Sequence, residues 1–406
     1  MVVFKAVKKP VIKSGAGAGG EVGTARPRFV AKTPPCQSVC PLSGEVREWL
    51  VPIAQHEAYG QTSRQAFELA WRKVTEKNPL PAVSGRVCPH GCETVCNRKG
   101  KDGAVGINAV EQFLGDYAIA QGWKLAKDAD TAPGERVAVV GAGPAGLSCA
   151  YHLTKRGYQV TLIDAAPLAG GMMRYRIPRS VLPAEVLEAE IGRILELGVE
   201  FRANCVVGRD VTLRQLREQY QAVFFAMGLQ KAAQLELQKQ DGLGMLVGSV
   251  PEELPALVEE PVEIERKALS TVTVALAQGR TVAAAIECAL KGVLPAPQAT
   301  PPVIKAEKMK LSWYPALPRR EYPRSAEAAG APAGLGTRVT EAEAIEEAKR
   351  CMSCGQCMDC ETCWMYCTQN AFVKLPKGEH YKLKLEVCNG CNKCADACPC
   401  GFIEMM

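Results

Sequence analysis

Apolar residues recur at helical spacing in three early stretches: 44–54 (GEVREWLVPIA), 63–76 (SRQAFELAWRKVTE) and 107–121 (INAVEQFLGDYAIAQ). Each keeps one face apolar, as a packed helix requires. The pattern then changes. Residues 136–140 (RVAVV) and 159–163 (QVTLI) are short apolar runs bounded by turn residues, which predicts buried parallel strands. A helix is predicted between them over 145–156 and a longer one over 270–291, with a returning strand at 245–250. Residues 295–340 are rich in Pro and Ala and predict a linker crossing the surface, followed by a short helix over 341–350 (EAEAIEEAKR). The order predicts a multidomain α/β chain. A flexible basic tail (1–32) precedes a helical domain (33–127), a Rossmann-like domain (134–294), the linker (295–340) and a small α+β module (341–406).

Chemistry sharpens this outline through the 19 cysteines. Cys36 and Cys40 lie in PPCQSVCP, and Cys88, Cys92 and Cys96 in GRVCPHGCETVC. Near the C-terminus, Cys357, Cys360, Cys363 and Cys367 are spaced C-x2-C-x2-C-x3-C, and Cys388, Cys391, Cys394 and Cys398 repeat that spacing before Pro399. This is the ligand run of a two-cluster ferredoxin, in which the fourth Cys of each run ligates the other cluster. One 4Fe-4S cluster is therefore expected on Cys357, Cys360, Cys363 and Cys398, and another on Cys388, Cys391, Cys394 and Cys367. A disulfide framework or zinc ribbon is the competing reading. Two matched runs in a long chain that opens without a secretion signal argue against it. The net charge of +6 is too mild to argue for nucleic acid, and no apolar run predicts a membrane span, so a cytoplasmic protein is expected.

GAGPAG follows the first predicted strand and opens a helix. In that context the run Gly141, Ala142, Gly143, Pro144, Ala145 and Gly146 is a dinucleotide fingerprint. Gly141 makes the turn, Gly143 lets the backbone approach a pyrophosphate, and Gly146 lets helix and sheet pack closely. Asp164, ending the second strand, is placed to bond an adenosine ribose. The start of the long helix, Thr271 and Val272, is free to aim its dipole at a flavin ring.

GRVCPHGCETVC, RVAVVGAGPAGLSCAYHL, GGMMRYRIP and EAIEEAKRCMSC together resemble the glutamate synthase small-subunit family. Its relatives are the N-terminal half of dihydropyrimidine dehydrogenase and the large subunit of ferredoxin-dependent transhydrogenase. The resemblance implies a helical domain with two 4Fe-4S clusters and an FAD domain interrupted by an NAD(P)H domain. A C-terminal ferredoxin module is appended in some members. It also implies flavin contacts at Gly170, Gly171, Met172, Arg176, Met227, Gly228 and Ser249. Three departures stand out. Only about sixteen residues separate Ala226-Met227-Gly228 from the returning strand, where a βαβ unit alone needs about thirty, so the NAD(P)H domain is expected to be missing. Arg176, Val181, Met227 and Ser249 replace the family's residues around the flavin. The family's EA-x-R-C-x2-C helix stands at 341–354 rather than at the N-terminus. Cys351 and Cys354 are therefore expected to return and complete a cluster with Cys36 and Cys96. Cys40, Cys88 and Cys92 would take Glu111 as fourth ligand, where relatives have Gln or Glu. An ordinary solvated glutamate is the competing reading for Glu111. His90, between Cys88 and Cys92, could donate to a cluster sulfur or tune its potential, with an incidental loop histidine as the competing reading.

Four clusters need sixteen ligands. Nineteen cysteines less Cys149, Cys205, Cys288 and Cys400 leave fifteen, and Glu111 makes the sixteenth. Cys149, Cys205 and Cys288 read as core residues, and Cys400 has no evident role. The expected function is an FAD and 4Fe-4S electron-transfer subunit of a larger oxidoreductase, partnered by iron–sulfur and metal-cofactor subunits, with NAD(H) as terminal partner. By resemblance, the leading example is the FAD subunit of a bacterial tungsten aldehyde oxidoreductase. An electron conduit or assembly module without nicotinamide chemistry is the alternative. A glutamate synthase subunit proper would need the missing domain.

Overall fold

The computed structural model describes residues 23–128, 134–227, 272–294, 300–322, 339–376 and 378–406. Gly228, Ser249, Thr271 and the strand expected at 245–250 lie outside these residues. The two ends of the described chain meet. Strand β1 (Pro27–Phe29) pairs antiparallel with β8 (Ile403–Met405), and Lys32 bonds Glu404 across 2.7 Å. Residues 27–29 are thus built into the fold rather than part of a flexible tail.

Helices Val46–Gln55, Ser63–Thr75 and Ile107–Ala120 bury Trp49, Leu50, Ile53, Phe67, Val110, Phe113 and Leu114 against one another. Ser63–Thr75 starts where the sequence says it should, with Thr62 and Gln65 forming a capping box. Helix Pro81–Val87 crosses Ile107–Ala120 at near-backbone contact. A Cβ on Gly115 would stand 2.3 Å from the Ala82 nitrogen, and one on Gly85 2.4 Å from Gln112 Cβ. That closeness is what carries Cys88, just past Pro81–Val87, to the level of Glu111.

The second unit is a parallel sheet of order β4-β3-β2-β5: β2 Arg136–Val140, β3 Gln159–Ile163, β4 Glu200–Arg202 and β5 Ala222–Phe225. Strands β2 and β3 coincide with the apolar runs. On one face, Pro144–Lys155, Ala184–Glu196 and Val272–Leu290 bury Leu147, Leu153, Leu187, Ile191, Leu276 and Ile286. On the other, Leu213–Gln219 covers the sheet with Leu216. Val272–Leu290 crosses Pro144–Lys155 at Gly279, where a Cβ would lie 2.1 Å from the Ala145 carbonyl oxygen. The helical and sheet units are fastened together by Glu190. Its buried carboxylate accepts hydrogen bonds from the Ala82 and Val83 N–H groups, both at 2.9 Å, and so satisfies two first-turn donors of the helix Pro81–Val87.

The Pro-rich segment departs from its reading as a surface linker. Within residues 300–322, Ile304, Met309 and Tyr314 are buried in the helical domain's core, and Thr33 pairs with Val303. Helix Glu341–Lys349 likewise contributes Ala344 and Ala348 to that core rather than to a separate module. Only after Met358 does an independent small core begin, around Cys363, Phe372, Tyr381, Cys394 and Ile403, with β6 (Phe372–Lys374) paired to β7 (Tyr381–Leu383).

Candidate cofactor sites

The C-terminal core is a two-fold repeat down to the backbone. In the first half Asp359, Glu361 and Asn370 have positive φ (53°, 62° and 53°); in the second Gly390, Asn392 and Gly401 occupy the matching places (71°, 62° and 69°). Each half therefore curls left-handed just before its second cysteine and again just after it. It then enters a short helix, Thr362–Tyr366 or Lys393–Ala397, that ends at its fourth cysteine. Asn, Asp and Gly tolerate that conformation best, and both turn residues of the second half are of this kind. The curls turn the thiols inward. One cavity is lined by Cys357, Cys360, Cys363 and Cys398, with Cys400, Phe29 and Phe402 at its wall. The other is lined by Cys367, Cys388, Cys391 and Cys394. The fourth cysteine of each half thus lines the other half's cavity.

Two further groups occupy the helical domain. Burial pushes the Cys36 thiol well up, and the adjacent thiols of Cys354, Cys351 and Cys96 push it further. Cys354 is raised by the same burial and by Cys351 and Cys96, so these four thiols lie within one another's field. The second group is Cys40, Cys88, Cys92 and Glu111. Burial and then Glu111 and Cys40 raise Cys88, to about 11, and Cys92. Glu111 keeps some solvent access, yet the protein packed around its carboxyl pushes it up to about 7 while Asn78 donates to it at 2.8 Å. Burial and crowding make these thiols hold their protons tightly and disfavour the bare thiolates, so they suit a metal centre, which supplies the charge that stabilises thiolates. The donor sets of all four groups, three or four sulfurs each, fit 4Fe-4S chemistry.

Most residues around these groups, His90 apart, were invisible in the sequence. Asn78 is one. His90 has φ of 60°, and its backbone N–H, rather than its position between two cysteines, supplies a bond to Cys88. The buried Thr273 hydroxyl also bonds Cys88, which brings the first turn of Val272–Leu290 against this group. Asp359 bonds His380 at 2.7 Å and faces Cys357 at 3.7 Å. Nothing local marks Asn78, Thr273 or Asp359.

The fingerprint loop shows a cradle. A Cβ on Gly141 (φ 111°) would meet the Ala226 oxygen at 2.5 Å, beside Met227, and one on Gly146 the Gly141 oxygen at 1.8 Å, whereas one on Gly143 would project into open space. Gly143 caps Pro144–Lys155, so the space lies at a helix N-terminus, where phosphates bind. Gly170 and Gly171 are folded onto it. Gly170 N–H donates to the Ala142 carbonyl at 2.8 Å, and a Cβ on Gly171 would come within 2.8 Å of Gly143 Cα. Asp164 is tied to this loop, accepting from Ala142 N–H at 2.6 Å and Ala166 N–H at 2.8 Å. Met172 and Arg176 are exposed beyond the cradle. The glycine set fits a dinucleotide pyrophosphate.

Comparison with known proteins agrees with these two halves. Residues 25–123 match the family described as dihydropyrimidine dehydrogenase domain II, 4Fe-4S cluster, and residues 139–187 match an NAD(P)-binding Rossmann-like domain. The glutamate synthase [NADPH] small chain of Escherichia coli is 34% identical over 214 residues, 52% of this chain and 43% of that one. The chain resembles the glutamate synthase small-subunit family. The similarity extends to the NADP(+)-dependent formate dehydrogenase subunit beta of Moorella thermoacetica, 34% identical over 260 residues, covering 59% of this chain and 35% of that one. It includes an NAD-dependent dihydropyrimidine dehydrogenase subunit PreT homolog of Salmonella typhi, 35% identical over 208 residues, 51% and 48%. The chain spans about a third to a half of the length of these relatives. They are oxidoreductase subunits. No helix among the described residues is long and apolar enough to cross a membrane.

Proposed function

We propose that this chain is an electron-transfer subunit of a multisubunit oxidoreductase, carrying FAD in the Rossmann cradle and four 4Fe-4S clusters. The observation that carries the reading is the succession of the four cysteine groups. Cys40, Cys88, Cys92 and Glu111 touch the Rossmann unit through Thr273. Cys36 and Cys96, next along the same two loops, join Cys351 and Cys354, and Cys357 follows at once in the cavity closed by Cys398. The cavity of Cys367, Cys388, Cys391 and Cys394 comes last. Bound there, FAD would exchange electrons in pairs and the clusters singly. The chain's own task is to hold these sites in one row and keep water out. Arg47 stiffens the passage between the second and third groups, donating to Ser353 Oγ at 2.7 Å and to the Cys357 carbonyl.

The partner subunits would supply the substrate centre, and a tungsten-dependent aldehyde oxidoreductase linked to NAD is the partner that the resemblance favours. A conduit without nicotinamide chemistry is the second reading, favoured by the short interval after Met227 and by the lack of a further GxGxxG after that residue. Mixing the reconstituted subunit with NADH and with NADPH decides between them. Flavin bleaching by either supports the first; bleaching by dithionite alone leaves the conduit. Chemical iron analysis should give about sixteen per chain, four for each cubane. Replacing Cys351 with Ser should remove one helical-domain cluster and spare both C-terminal ones. Loss of a C-terminal cluster instead would refute the grouping of Cys351 with Cys36.

A further inference from the structure

One of the cavities holds a thiol too many. Cys357, Cys360, Cys363 and Cys398 meet the need of a cubane, one thiolate per iron, yet Cys400 also lines the wall. It is buried at 2% exposure, and its Sγ lies 3.8 Å from that of Cys398, within hydrogen-bonding reach for sulfur. Its backbone is held from both sides. The Cys400 carbonyl accepts from Gly355 N–H at 2.7 Å, and the preceding Pro399 carbonyl accepts from Lys310 N–H at 3.0 Å. The next residue, Gly401, has φ of 69° and leaves no room for a Cβ, which would stand 2.7 Å from the Lys308 oxygen. The thiol is therefore fixed beside Cys398 by backbone geometry.

We propose that Cys400, whose Sγ lies against that of Cys398, donates an S–H···S hydrogen bond to this cluster ligand and sets the potential of that one cluster. The inference rests on reading this cavity as a cubane site. A donor to a ligand sulfur stabilises the more negative, reduced state, so it raises the potential. No ligand role is open to Cys400 while Cys398 occupies the fourth corner. The second half of the repeat supplies this thiol, and the first half places Gln369 at the matching position, two residues after Cys367, on the wall of the other cavity. The two C-terminal clusters thereby differ in one sulfur donor although their ligand spacing is the same.

The test is a redox titration of the full-length chain, followed by EPR, with Cys400→Ala and Cys400→Ser beside the wild type. In Cys400→Ala, iron per chain stays at the wild-type value while one cluster shifts to lower potential. We expect about a tenfold change in its reduced-to-oxidised ratio at fixed ambient potential, which is 59 mV for one electron. The Ser variant, which keeps a donor, recovers part of the shift. Four unmoved potentials overturn the proposal, and so does loss of about four irons in Cys400→Ala, which would make Cys400 a ligand. Absence of cubane signals in the wild type would instead defeat the reading of the cavity itself.

Discussion

Arg98→Ala should destabilise the helical domain by about 3–5 kcal/mol, the range for removing one partner of a buried ion pair. That is a large share of the about 5–15 kcal/mol that holds a domain folded. Arg98 is 1% exposed and uses its whole fork. Nε and Nη2 grip the two Asp102 oxygens at 2.7 Å each, Nη1 donates to the Arg350 carbonyl at 2.7 Å, and Nη2 donates to the Pro315 carbonyl at 2.9 Å. Truncation takes this donor from two carbonyls and from a carboxylate that keeps only Leu317 N–H at 2.7 Å and Arg350 Nη2 at 3.4 Å. Burial pushes Asp102 up, but hydrogen bonds from Arg98 and from Leu317 N–H outweigh it and hold the carboxyl below its ordinary 3.8. A depressed carboxyl contributes stability above the unfolded value, and loses it as pH falls through the lower folded one. The variant should therefore also lose part of the wild type's acid sensitivity below about pH 4. Because the Arg350 carbonyl precedes Cys351, and Cys96 stands two residues before Arg98, iron should leave the Cys36, Cys96, Cys351 and Cys354 group first. Arg98→Lys keeps the charge without the fork and should fall between. Thermal melting and iron content measure both effects. A variant melting within a degree or two of the wild type would show that the hub does not hold the segments around Arg98, Pro315 and Arg350 together.

That hub also shows where sequence reading stops. Arg98 sits in NRKGKD, which has the look of a solvated charge run, and its partners Arg350 and Pro315 are 252 and 217 residues away. No periodicity encodes such a pairing. Ile304, Met309 and Tyr314 are hidden for a related reason: they enter the core singly from a Pro-rich segment with no helix or strand period. Strand β4 spans only three residues, too few for an apolar run to register. By contrast β2 and β3 are legible to the residue, since a strand buried on both faces leaves an uninterrupted apolar signature. The three helices of the first domain that periodicity predicts differ from their stretches only at their ends, where capping and not periodicity decides, while Pro81–Val87 is too short to register as a periodic stretch. Cysteine spacing carried more. Each loop residue between two cysteines adds a fixed length, so C-x2-C-x2-C-x3-C admits few arrangements of its thiols, and the crossed lining of the two C-terminal cavities has the pattern that spacing implies. What spacing cannot carry is the surroundings: Asn78 on Glu111, Thr273 on Cys88 and Cys400 on Cys398 come from chain folded in from elsewhere or, for Cys400, from a turn whose direction only the backbone reveals.

Gly146→Ala and Gly143→Ala should separate folding from cofactor binding within one loop. At Gly146 the added methyl would stand 1.8 Å from the Gly141 oxygen, a backbone atom. Gly141 cannot yield, because it is wedged in turn against the Ala226 carbonyl and takes a φ of 111°. The helix Pro144–Lys155 must then lift from the sheet. It would carry Val272–Leu290 with it, since the two are locked at Gly279 and by Ser148 Oγ donating to the Leu276 carbonyl at 2.6 Å. The cost should exceed the about 1–3 kcal/mol of ordinary overpacking, and flavin should be lost with the fold of this unit. Gly143 is different. Its backbone is extended (φ −76°, ψ −176°), which any residue adopts, and a Cβ there meets nothing within 4 Å. Its variant should melt with the wild type and keep its iron. The methyl nevertheless fills the cradle at the helix N-terminus, where a pyrophosphate must come within hydrogen-bonding distance of the backbone, so flavin content should fall sharply. Melting curves, iron assay and flavin released by acid distinguish the outcomes. Full flavin in Gly143→Ala would move the cofactor away from this loop, and a wild-type melt for Gly146→Ala would mean that helix and strand are not in contact there.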